Sequence, residues 1–97
     1  MAKRSKLQQS KHDALIKRIA AGYKAQGWKV KADILGYPKP LLIYGKRPDV
    51  VAEKRKQVRI IEVETPDTYK KDVAQRKAFE RYASLNKNRK FKVRIAK

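Results

Sequence analysis

The chain has 97 residues, 41% of them hydrophobic, and carries 27 Lys and Arg against 9 Asp and Glu, a formal net charge of +18. That bounds it to one small domain with a modest core, whose field repels itself and draws polyanions, nucleic acid before any other. No cysteine is present, so disulfides and thiolate metal sites are excluded; the single histidine argues against a His-based zinc site, and no apolar run is long enough to cross a bilayer.

An anionic membrane surface is the weaker rival, because it calls for one cationic helix with a strong apolar face and the charge here is spread over every segment. The opening MAKRSKLQQSK lacks the apolar core of a signal peptide, so the expected location is the cytosol, at the nucleoid.

Residues 1–9 read as a loosely ordered basic arm, with Lys3 and Arg4 as candidate phosphate contacts, and residues 10–97 as a single domain. Ser10 followed three residues later by Asp13 has capping-box spacing. Leu15, Ile16, Ile19, Ala20 and Tyr23 then recur at helical spacing until Gly27 stops the helix. His12 falls in the first helical turn and is expected at the surface.

WKVKADI alternates Trp28, Val30, Ala32 and Ile34 against polar residues, the period of a strand with one buried face, and Trp28 is expected in the core. Gly36, Pro38 and Pro40 open a loop. Its LLIYG stretch is either a strand end or an apolar plug. Tyr37 and Tyr44 could stack on a base or pin the loop. PDVVAEK and QVRIIEVET read as a hairpin turning around Arg55 and Lys56. Thr65 and Pro66 then predict a helix cap and first position, with Asp67 in the first turn. Ala74, Ala78, Tyr82 and Leu85 predict that helix's buried face, widened by Val73 and Phe79. KFKVRIA supplies a last strand. The expected architecture is α+β: helix, three strands, helix, strand, with a mixed four-stranded sheet flanked by the two helices.

Residues two apart on a strand share a face, so Glu62 and Glu64 point one way and Ile61 and Val63 the other. Pairing Glu53 with Val58 across the hairpin places Asp49 opposite Glu62. Like charges opposed on a sheet repel, by roughly 3 kcal/mol per pair at about 5 Å and an effective dielectric near 20. Two compensations are available. One is a divalent cation, Mg²⁺ or Mn²⁺, held by oxygen ligands and acting on a phosphodiester; the other is pairing with lysines such as Lys46, Lys56 or Lys71.

RPDVV and the following IIEVET, with twelve residues between Asp49 and Glu62, in this element order resemble the PD-(D/E)xK nuclease superfamily, with its restriction endonuclease-like and Holliday junction resolvase-like branches. Pro48 and Asp49 match the PD pair and Glu62 the following acid; Glu64 takes the position of the family lysine, as in Glu-x-Glu variants. The resemblance implies that Asp49, Glu62 and the carbonyl of Val63 hold a catalytic metal, with Glu64 as ligand or general base. It further implies that Asp13, the acid of the first helix, could join them, that Lys71 could replace the missing lysine, and that Gln75 with Phe79 echoes a Gln-x-x-x-Tyr element. Lys46 and Arg47 would help position the backbone.

The expectation is therefore a metal-dependent endonuclease acting on DNA in preference to RNA, structure-specific for junctions or branches, and compatible with a homodimer. The alternatives are a catalytically degenerate binding module of the same fold and a small basic ribonucleoprotein component.

Overall fold

The computed structural model describes residues 4–97. Helix α1 (Lys6–Ala25) is followed by β1 (Lys29–Ala32), β2 (Val50–Lys54), β3 (Gln57–Glu64), α2 (Val73–Ser84) and β4 (Arg89–Ile95). The expected element order and mixed sheet hold. The strands lie in the order β1-β2-β3-β4, antiparallel between β1 and β2 and between β2 and β3, and parallel between β3 and β4. A parallel neighbour requires a crossover, and α2 supplies it.

Alternation along β3 sends its side chains to two separate cores. Ile61 and Val63 join Ile16, Ile19, Ala20, Val50 and Ala52 under α1. Ile60 faces the other side, where it meets Phe79 of α2 and Ile43 of the loop, with Val58, Tyr82 and Phe91 packed around them. The LLIYG stretch is thus a partial plug: Ile43 is buried, while Leu41 and Leu42 are not. Helix α2 covers β3 and β4 only, so the same face of β1 and β2 is left to the loop.

Helix α1 begins earlier than the Ser10 spacing predicts. Ser5 is the N-cap, its hydroxyl accepting from the Gln8 N–H at 3.1 Å, and Ser10 and Asp13 lie inside the helix. The earlier start is set by tertiary contacts, since Asp67 accepts from the Ser5 N–H at 3.2 Å and its own N–H donates to Gln8 at 3.0 Å. Residues of the expected loose arm are therefore helical or anchored from Arg4 onward; Lys3 lies outside the described residues.

Helix α2 starts later than predicted. Thr65 and Pro66 open a run of turns rather than a helix, with the Thr65 N–H donating to the Thr68 hydroxyl at 3.1 Å, and the helix begins after Asp72. Its buried face is also rotated. Phe79 and Ala83 are buried while Val73, Ala74 and Leu85 are exposed, which turns Gln75 and Arg76 toward the sheet. Trp28 is only half-buried; it packs edge-on to Tyr23 at 5.3 Å at the core margin, with the Arg59 guanidinium over its ring at 5.3 Å.

The β2–β3 hairpin has the expected register, Glu53 opposite Val58 and Lys54 opposite Gln57. Its two turn residues, Arg55 (φ 50°) and Lys56 (φ 72°), both sit in the left-handed region, the geometry of a turn that prefers Asn-Gly. Replacing Arg55→Asn and Lys56→Gly is expected to stabilise the fold by about 1 kcal/mol and raise Tm by about 4–8 °C in a thermal melt, since side chains that resist positive φ are removed.

Candidate active site

The site forms where β2 starts and β3 ends. The ladder stops at Val50 opposite Ile61, and side chains continue it. The Asp49 N–H donates to the Glu62 carboxylate at 3.3 Å, and the Val63 N–H donates to Asp49 Oδ2 at 2.8 Å. Each acid thus occupies a backbone donor of the opposite strand, and the two carboxyl groups come within hydrogen-bonding reach. The Gln75 amide of α2 donates to the other Glu62 oxygen, which fixes its rotamer.

Glu62 is 2% exposed. Burial, then the charge of Asp49, pushes its pKa up to about 10. At neutral pH the pair therefore holds a proton or calls for a cation.

Glu64 has a different environment. It is fully buried, and its carboxylate accepts from Arg76 at 2.7 Å, with Arg4 at 3.6 Å and the Thr68 hydroxyl at 3.3 Å. Burial pushes its carboxyl upward, while the Arg76 hydrogen bond pulls the other way. The pairing is with arginines, not with Lys46, Lys56 or Lys71. Glu64 is thereby committed to an ion cluster, and the patch expected from three carboxylates contracts to Asp49 and Glu62.

Lys71 is exposed in the turn before α2 and forms none of the ion pairs seen among the described residues; Arg76 holds the place beside Glu64 proposed for it. Asp13 is half-exposed and accepts from Gln9 at 2.8 Å and from His12 at 3.0 Å, so it reaches the site only through His12. The Val63 carbonyl faces the Arg4 guanidinium at 3.4 Å. Arg4 is therefore an internal partner instead of a free phosphate contact. The Arg47 guanidinium donates to the Pro40 carbonyl and braces the loop, while Lys46 pairs through its backbone with Ile43.

His12 is the residue that sequence reasoning misplaced. It is buried, with Nε2 lying 3.5 Å from Asp49 Oδ2 and having no hydrogen-bond partner there. Burial pushes its pKa down, but Asp49, assisted by Asp13, outweighs this and leaves it raised. The signal was available in the spacing: His12 precedes Leu15 and Ile16 by three and four positions, which sets it on the apolar stripe of α1.

Two carboxylates thus lie together, with an orphaned imidazole nitrogen beside one of them. Among the described residues no group of three or more His, Cys, Asp or Glu side chains is disposed to hold a metal ion. An ion here would complete its shell with water and substrate oxygen, as Mg²⁺ does when it takes one or two carboxylates. No family model, curated protein or solved structure matches this chain.

With its pKa raised from 4.5 to about 10, Glu62 contributes stability that is full below its unfolded pKa and is lost as pH rises toward about 10. The metal-free protein is therefore expected to melt at falling temperature from pH 5 to 9, and Glu62→Gln, which mimics the protonated acid, to flatten that slope and melt higher at pH 8. Arg76→Leu is expected to cost about 3 kcal/mol in urea unfolding because it strands a buried carboxylate, and adding Glu64→Gln to recover most of that loss.

Proposed function

We propose that the chain is a divalent-metal-dependent nuclease that hydrolyses DNA phosphodiesters. The observation that carries this reading is the pairing of the buried Glu62 with Asp49, held by backbone donors in a chain of net charge +18. Such a chain has no electrostatic use for a bound cation unless its substrate brings negative charge, and a phosphodiester does. The likeness of RPDVV and IIEVET to the PD-(D/E)xK superfamily supports the same chemistry.

Asp49 and Glu62 would hold Mg²⁺ or Mn²⁺, with His12 Nε2 on the outer side of Asp49. When bound, the ion supplies Lewis-acid polarisation of the phosphoryl oxygen and a water of lowered pKa. The Val63 N–H and the Gln75 amide orient the two carboxylates. Glu64 takes no part in the chemistry; together with Arg4 and Arg76 it ties α2 and the segment before α1 to the end of β3. No helix of the described residues is long and apolar enough to cross a membrane.

Asp49→Ala and Glu62→Ala are each expected to abolish Mg²⁺-dependent cleavage across duplex, single-stranded, flapped and four-way DNA, and His12→Gln to lower it by about 10–100-fold. Unchanged cleavage in the two alanine variants would overturn the assignment. A second reading, a binding module without catalysis, is favoured by the engagement of Glu64 with Arg76 where the family carries a free lysine. It requires that divalent metal neither raise Tm nor support cleavage, while DNA affinity falls with salt at a slope of about −0.9 per neutralised phosphate.

A further inference from the structure

Beside the carboxylates, on the same face of the sheet, the loop that joins β1 to β2 stands over a cavity of about 180 Å³. Leu41, Leu42, Val58 and Tyr82 supply apolar walls, and Lys31 and Glu53 bring polar groups to it. Ile60 also lines it, and Ile60 lies two residues before Glu62 on β3, one side-chain step along the same face. The loop is anchored at the site itself, because the Asp33 N–H at its start donates to the Asp49 carbonyl at 2.9 Å.

Its leucines are not satisfied by the fold. Leu41 is 75% and Leu42 56% exposed, at the edge of a cavity with room for one planar ring. Lys31 is the cation among the lining residues, and two guanidiniums lie against the rings of Tyr82 and Tyr44. The Arg89 guanidinium lies 3.8 Å from the Tyr82 ring centre, and Arg81 lies 5.9 Å from that of Tyr44, which meets Tyr82 edge-on at 6.3 Å.

We propose that this cavity receives a single unstacked base of the DNA strand whose phosphate lies at Asp49 and Glu62. The inference rests on the nuclease reading for its substrate. An apolar slot with an aromatic ring in its wall and Lys31 on its lining offers a base a dry surface and its flanking phosphates a charge partner. A second copy of the chain is the poorer occupant, since each brings the same charge of +18 to the contact. Paired B-form DNA keeps its bases stacked inside the duplex, so the cavity selects strands in which a base is already free, as at a bulge, a flap or a junction.

The test is fluorescence anisotropy without divalent metal, at fixed ionic strength, on three duplexes: fully paired, bearing one extrahelical nucleotide, and bearing the same bulge with an abasic residue. The wild type is expected to bind the extrahelical base about tenfold more tightly than either other duplex, within the range of base stacking on aromatic side chains. Leu41→Ser/Leu42→Ser should erase that preference while leaving the salt slope unchanged, and Leu7→Ser, at an exposed leucine of α1, should leave both intact.

Equal affinity for the three duplexes overturns the proposal. So does a preference kept by the abasic bulge, which would report bending alone, or a wild-type dimer in sedimentation that the double variant dissolves. Because binding is read without metal, loss of the preference overturns the base site whether or not Mg²⁺ supports cleavage. Absence of cleavage with the preference intact overturns only the hydrolytic reading.

Discussion

Two carboxylates that should repel are held in contact because each has become part of the other strand's hydrogen bonding. Asp49 takes the Val63 N–H, Glu62 takes the Asp49 N–H, and neither bond can be released without breaking the end of the hairpin. The cost is visible in Glu62, whose carboxyl burial and neighbour drive toward the neutral form. A small domain has little stability to spare, and this pair draws on it.

The neighbouring acid shows the opposite solution. Glu64 is as deeply buried, yet two arginines and a threonine hydroxyl surround it. Arg76 also lies against the Tyr69 ring, its guanidinium 4.3 Å from the ring centre, which spreads the charge over a partly apolar surface. One strand thus presents two glutamates two residues apart with different chemical states. The first is held by the Asp49 N–H and the Gln75 amide beside a second carboxylate, and the second fastens α2 and the segment before α1 onto the sheet.

Much of the architecture was legible from pattern. Alternation in β3 and the apolar spacing of α1 placed the core under α1, though not the second one around Ile43, Ile60 and Phe79, and the Glu53–Val58 pairing set the register that brings Asp49 to Glu62. What failed were helix boundaries and helix rotation. The Ser10–Asp13 spacing is a valid cap in isolation, but Asp67 holds the backbone of Ser5 and starts the helix five residues earlier. In α2 the apolar residues nearly encircle the helix, so their pattern allowed several buried faces. The sheet chose the one that brings Gln75 and Arg76 to the acids.

The order of residues by itself determined the alternation of strands, the hairpin register and the presence of carboxylates in a polycation, because these depend on local periodicity and composition. Only tertiary structure decided which charges meet. His12 turns inward through the packing of α1 against the sheet, and Arg76 and Arg4 reach Glu64 from positions 12 and 60 residues away in the chain. Such pairings depend on how helices rotate and where they dock, which is settled by the whole core and is encoded in no single stretch.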